Sequence, residues 1–480
     1  MLKFKNICVL GLLLILGACK IKQEIPNNRQ LLAIPDKFSA NNGTLETDLP
    51  NFRLFFNDAN LIALIDTALK NNFDLQMTLQ KIEIAKAGVR FTQGLGKPDL
   101  AGSFNIGQRK FGRYTIDGVG NYDTQFSSNL NDRQQIPDPV VPDFSLGVQS
   151  SWEIDLWGKL KSQKAAAASR FLASEAGKNL LVSEIVALIS EAYYDLLILD
   201  NELLFLEENI TLQQSALDLT RTLKESGKSN ELAVDLLNAQ LLSSKAFKID
   251  VQQEIIEFES KINFLAGRFP QPVVRPRVIW AEVIPPTLSS GIPSKLLQDR
   301  PDIKQAEYEL LATNANLFAA KAAFYPSVNI TGGVGFQSFR SLLLLNPASF
   351  AMNTLGGLMA PLANRRVLIS DLMASKADQK AAYINYQKTI VNSFTEVYNQ
   401  LNKIENFNLM NDLKTQEVQA LRQSIISSSE LFGSGRATYL EVITAQKNSL
   451  QSQIELINLK KRQYGAVIGL YKALGGGWKN

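Results

Sequence analysis

The chain repeats itself, so whatever it builds has to fold twice in much the same way. Asp74-Leu75 opens a stretch ending at Pro98, and Asp302-Ile303 opens one of equal length ending at Pro326, with Ala87 and Ala315 in register between them. Glu191-Ala-Tyr-Tyr-Asp-Leu196 is echoed by Glu396-Val-Tyr-Asn-Gln-Leu401, and Asp235-Leu-Leu-Asn-Ala-Gln240 by Glu441-Val-Ile-Thr-Ala-Gln446. The order is kept at an offset far longer than the ~20–50 residues of solenoid repeats. Two copies of one helix–strand–strand–helix module therefore give the protein internal pseudo-symmetry.

Proline placement marks the helices. None falls between Pro142 and Pro270 or after Pro361, and because an interior proline costs a helix about 3 kcal/mol these gaps predict long uninterrupted helices. Val251, Ile255, Phe258, Ile262 and Leu265 alternate at spacings of four and three, and Ile443, Leu450, Ile457, Tyr464 and Tyr471 recur at seven, the pattern of coiled-coil seams. Between the helices lie four candidate strands, near Leu100–Arg113, Asp143–Leu156, Val328–Gln337 and Phe350–Ala360. The second sets Phe144, Leu146, Val148, Trp152 and Ile154 against Ser145, Gln149, Ser151 and Glu153. A half-buried soluble sheet gives the same alternation. The length of these runs suits tilted membrane strands of about 9–11 residues, and Phe144, Trp152, Trp157 and Phe336 suit interfacial girdles. Four strands cannot close a barrel, and an open edge does not survive in lipid, so a membrane-spanning sheet of this kind requires partner chains. The Gly-, Asn- and Pro-rich segment Tyr114–Pro142 and the loop carrying Leu342–Leu345 are expected to be exposed.

The ends and the composition narrow the class. Lys3 and Lys5 precede an apolar run from Ile7 to Leu16, followed by Leu16-Gly17-Ala18-Cys19. This is a secretory signal whose end resembles the lipobox of bacterial lipoproteins, so Cys19 is the expected lipidation site and mature N-terminus. Lys20, where an Asp tends to mean inner-membrane retention, favours the outer membrane. The other cysteine, Cys8, lies inside the apolar run, so the mature chain has no disulfide. The formal net charge is +4 and there is no histidine, which gives no basic nucleic-acid footprint and removes histidine bases and metal ligands. Glu153 and Asp155 share one strand face, but alternation alone accounts for them, and Gly475–Gly477 lacks the Lys-Ser/Thr of a phosphate loop. No catalytic site, cofactor or metal is expected.

Several stretches resemble a known family, the TolC-like outer membrane factors, in the lipoprotein branch that serves multidrug efflux pumps. They are Gly291-Ile-Pro-Ser-Lys-Leu-Leu297, Arg300-Pro-Asp-Ile303 with Ala306-Glu307, Ala319-Ala-Lys-Ala-Ala-Phe-Tyr-Pro-Ser327, Trp152-Glu-Ile-Asp-Leu-Trp-Gly158 and Leu470-Tyr-Lys-Ala-Leu-Gly-Gly-Gly-Trp478. Ala360-Pro-Leu-Ala-Asn-Arg-Arg366 departs from the aromatic and Gly-rich turn usual there. The resemblance implies a mixed fold of α-helix and transmembrane β-strand. Four strands per chain would contribute to a trimeric 12-stranded barrel continuous with a long coiled-coil periplasmic tunnel. The expected organisation is a signal peptide over 1–18, a lipidated extension over 19–57, repeats over 58–268 and 299–474, a Pro-rich linker over 269–298 and a tail over 475–480.

The resemblance further implies an exit duct of a tripartite efflux system, anchored in the outer membrane of a Gram-negative bacterium with a large periplasmic portion. Its partners would be two further copies of the chain, a periplasmic adaptor, an inner-membrane pump and outer membrane lipid, with no nucleic acid. The turns at Gly227–Gln240 and Gly435–Gln446 would form a gated periplasmic tip. Glu441 matches a position often acidic there, and three copies would repel one another and hold protons above the usual carboxylate range. The position often occupied by Asp is Thr444. Asp235 aligns with a helix latch, with Arg436 its nearest partner and Phe432 in place of a hydrogen-bonding tyrosine. Asp235 is equally readable as a helix-start charge favoured by the macrodipole; the same reading is open to Glu441, for which the gate is preferred. A type I protein-secretion duct and a periplasmic coiled-coil scaffold without a pore remain the alternatives.

Overall fold

A computed structural model describes residues 35, 49–276, 300–363 and 365–479. Cys19, Lys20 and the Gly291–Leu297 stretch lie outside the described residues. In chain order the elements are α1 (Phe52–Phe56), α2 (Ala59–Asn71), α3 (Phe73–Leu95), β1 (Asp99–Arg109), α4 (Ile116–Asp123), β2 (Val141–Ile154), α5 (Lys159–Glu225) and α6 (Glu231–Leu265). Then come α7 (Pro301–Ala322), β3 (Ser327–Ser338), β4 (Phe350–Met359), α8 (Arg366–Gly433) and α9 (Tyr439–Ala473). The chain divides into two compact units.

The first unit comprises Ile84–Phe171 and Glu309–Tyr383. It holds one antiparallel sheet in the order β1-β2-β3-β4. All four strands lie near the expected segments, the second and third where alternation placed them, although β1 stops at Arg109 rather than Arg113. The short helix α4 interrupts the segment expected as plain loop, with Thr115 accepting from the Gly118 N–H as its N-cap. Leu342 and Leu345 are exposed as expected, beside a one-turn 3-10 helix over Ser341–Leu343. The Arg340 guanidinium donates to the Asp132 carbonyl at 2.7 Å, tying the two loops together. At the other end of the strands, Trp157 donates to the Pro326 carbonyl at 2.6 Å and its ring stacks on Tyr325 at 5.1 Å. Two of the most recognisable sequence stretches thus pin the two repeats to each other. At the departure over 360–366, Arg365 lies over the Phe324 ring at 5.0 Å.

Among the described residues the second unit comprises 35, 49–83, 172–276, 300–308 and 384–479. Its core is where the apolar stripes of α1, α2, α5, α6 and α9 meet. Val251, Ile262 and Leu265 of the first predicted seam are buried, as are Leu450, Ile457, Tyr464 and Tyr471 of the second, which is how period-seven residues settle when helices pack along their length. Part of the segment expected as an extension belongs to this core: Phe52, Phe55 and Phe56 of α1 are buried, and Phe55 stacks on Tyr471 at 4.3 Å. Tyr471 also donates from its hydroxyl to the Pro50 carbonyl at 2.9 Å.

The duplication shows in the polar contacts as well. In the first repeat the Asn72 amide donates to the Leu265 carbonyl at 2.9 Å, closing the C-terminus of α6 onto the start of α3. In the second repeat Arg300 does the same to the Ala473 carbonyl at 2.7 Å, closing α9 onto α7. These carbonyls belong to the last helical turn, which has no partner inside the helix.

Candidate functional site: a two-faced wall and two helical turns

The strand registers put like with like. Val148 of β2 pairs with Gly102 and Val334, Leu146 with Phe104 and Phe336, and Trp152 with Ile330. Val334 in turn pairs with Met352, and Val328 with Leu358. One face is therefore mainly apolar across all four strands, interrupted by Ser150, Ser338 and Thr354. The other carries Ser103, Asn105, Ser145, Gln149, Ser151, Asn329, Thr331, Gln337 and Asn353, in the alternate registers. Glycine at 147 and 335 keeps the β2–β3 contact close, since a Cβ at 335 would sit 2.3 Å from the Leu146 carbonyl oxygen. Within the sheet β1 and β4 each pair on one side only. A sheet with one face for lipid, one for water and two unpaired edges is stable across a membrane only when other chains complete it.

The two helical turns are near copies. Gly227 and Gly435 adopt φ of +73° and +71°, the left-handed conformation that glycine takes at no steric cost. The N–H of Lys228 reaches back to the Leu223 carbonyl and that of Arg436 to Leu431, while Gly227 and Gly435 reach Lys224 and Phe432. Both are Schellman endings. The next helix starts on Asn230, whose side chain accepts from the Ala233 N–H, and on Thr438. Side chains of Leu223, Leu237, Phe432, Val442 and Gln446 line a cavity of about 1040 Å³ between the turns.

Here the structure sorts the predicted residues. Glu441 closes a capping box, its carboxylate accepting from both the hydroxyl and the N–H of Thr438. Those two bonds hold its carboxyl below the usual carboxylate range, so in the single chain the shift runs opposite to the expected raised value. Hydrogen bonds to the ionised form outweigh everything else acting on this exposed side chain. Asp235 and Arg436 are both exposed, and no ion pair joins them among the described residues. The local pair at the first turn is Lys224 with Glu231. Thr444 donates back to the Leu440 carbonyl at 2.7 Å, a contact internal to its helix.

Sequence reasoning passed over the residues that tie the helices together. Arg300 donates to both Asp302 oxygens, at 3.0 and 2.7 Å, and to Glu396 at 2.8 Å. Arg275 is bidentate to Asp200 and also reaches Glu259 at 2.6 Å. Asp302 and Glu396 stand in the duplicated motifs, and that repetition was the available signal.

The sequence pattern of the outer membrane efflux proteins matches residues 64–268 and 292–476. The chain belongs to the outer membrane efflux protein family. It is 27% identical to the cation efflux system protein CusC of Escherichia coli O6:H1 over 471 residues, 97% of each chain. To the probable outer membrane lipoprotein SilC of Salmonella typhimurium it is 24% identical over the full length of both, and to the solvent efflux pump outer membrane protein SrpC of Pseudomonas putida 26% over 99% of each. The crystal structure of CusC superposes with a TM-score of 0.81 at 26% identity, over 92% of this chain and 97% of that one. The outer-membrane channel OprN gives 0.83 at 22% identity, over 94% and 99%. This efflux protein thus has the outer membrane channel fold, in which each chain contributes four strands to a trimeric barrel and long paired helices to a periplasmic tunnel. It is the outer membrane component of an efflux system.

Proposed function

We propose that this channel is the exit duct for small solutes or drugs delivered by an inner-membrane pump through a periplasmic adaptor, that it is lipidated at Cys19, and that its two helical turns form the gated tip. The observation that carries the reading is the register of the sheet, which gathers most of the large apolar residues of all four strands on one face, with Val141, Leu355 and Met359 the exceptions. CusC is named for cations and SrpC for solvents at similar identity, which supports a duct whose cargo is chosen by the pump. Deleting the gene should raise accumulation of a fluorescent dye in cells. Normal dye efflux with a secreted protein trapped inside would instead mark a protein-secretion duct.

SilC's description as a lipoprotein supports the anchor. Metabolic labelling with a fatty acid should mark the wild-type chain, and Cys19→Ser should abolish the label. Equal label in both rejects the anchor, although the sheet's apolar face would still insert.

For the gate, the capping box supports an ionised Glu441 at neutral pH, so three copies about a three-fold axis present a ring of negative charge that favours divalent cations. Glu441→Gln should weaken divalent block from the periplasmic side at least severalfold in planar-bilayer recordings while trimers persist. Unchanged block leaves Glu441 as a helix cap alone. Asp235→Ala tests the latch in the same recordings. Since Asp235 has no ion pair with Arg436 inside one chain, a rise in conductance places its partner on a neighbouring chain, and unchanged conductance removes the latch.

A further inference from the structure

Glu202 is a carboxylate in an apolar place. It lies on α5 three residues after Leu199 and four before Leu206, so all three share one helix face. Leu199 and Leu206 form a buried layer with Val251 of α6 and Leu450 of α9, flanked by Ile255 and Ile454. Glu202 is only 6% exposed, and among the described residues no hydrogen bond or ion pair reaches it. The charges that act on it come from both helices packed against α5: Glu254 of α6 repels it and Lys461 of α9 attracts it. Lys461 is engaged elsewhere, 3.7 Å from Asp195 two turns back along α5 and 4.7 Å from the centre of the Phe258 ring. A buried carboxylate left beside a like charge is stable in its protonated form.

We propose that Glu202, backed by Asp195, makes the α5–α6–α9 contact a proton-responsive clamp, tight when Glu202 carries its proton and loosened when it ionises next to Glu254. Burial pushes Glu202 up to about 7 and Asp195 up to about 6, the latter pulled back in part by Lys461, pushed on by Glu191 and pulled back again by Lys261. Because these folded-state values lie above the unfolded carboxylate range of about 4, the stabilisation is complete at acid pH. It is lost as pH rises from about 4 towards about 7. The helices stand in the periplasm, whose pH follows the medium, so this contact tightens in acid surroundings and slackens in neutral to alkaline ones.

The test is the thermal midpoint of the purified full-length channel, followed by far-UV circular dichroism, for wild type and Glu202→Gln at pH 5 and pH 8. Glutamine keeps the shape and removes the titration, so the midpoint of the variant relative to wild type should rise by a few degrees between pH 5 and pH 8. A difference that stays constant with pH, whatever its sign, overturns the clamp. Glu254→Gln serves as the second variant. Glu254 is exposed, so its replacement leaves the core intact while removing the repelling neighbour. It should raise the midpoint at pH 8 and change it little at pH 5, and no gain at pH 8 overturns the proposal equally.

Discussion

Arginine in place of Val148 should abolish stable insertion, while lysine in place of the adjacent Gln149 should leave it intact. Val148 stands near the middle of β2, paired with Gly102 and Val334 on the apolar face. A guanidinium on the lipid side at mid-depth costs about 2–4 kcal/mol per strand position, and three chains bear it at once. Gln149 is one residue away and points to the opposite face, where its partners are Ala101 and Gly333 and a charge stays hydrated. The measurement is the fraction of each variant recovered in outer membranes as heat-modifiable trimer. Equal recovery of the two variants would mean that the alternation reflects an ordinary half-buried sheet.

The second large effect is expected in the helical unit. Tyr471→Ala removes a ring that is 2% exposed, stacked on Phe55 at 4.3 Å and edge-on to Phe56 at 5.9 Å. It also leaves the Pro50 carbonyl without its donor. Truncating a buried aromatic costs about 3–5 kcal/mol through lost transfer energy and the cavity left behind. Tyr471→Phe should cost only about 1 kcal/mol for the hydrogen bond. Denaturation of the purified channel distinguishes them, and α1 should become sensitive to proteases in Tyr471→Ala alone. A Tyr471→Ala protein as stable as Tyr471→Phe would show that α1 does not hold the core together.

These two predictions mark what could and could not be read from the chain. The strands were legible because a period of two survives in sequence and a membrane sheet has no other way to present two faces; Val148 and Gln149 declare themselves locally. The seams were legible for the same reason, since Leu450, Ile457, Tyr464 and Tyr471 keep step with a supercoil. What Tyr471 stacks on was not, because Phe55 is separated from it by almost the whole chain and the five-residue helix α1 is too short to show a period. Arg300 stood inside a recognised motif, yet its partner Glu396 lies on another helix, and only the fold brings the two to 2.8 Å. At the turns, position was readable from the duplicated glycines, but not the chemistry. The Glu441 carboxylate turns back onto Thr438 because the first turn of a helix has N–H groups to satisfy, a local demand that gives it a capping role whatever it does at the tip.

The central claim is that one chain supplies four strands of a barrel that only its copies can close. Native mass spectrometry of the detergent-extracted, full-length protein tests it most directly. The account predicts a single species of three chains, unchanged by Glu441→Gln and Glu254→Gln. A monodisperse monomer that keeps its β-sheet signal would contradict it, because β1 and β4 would then be stable with their outer edges open.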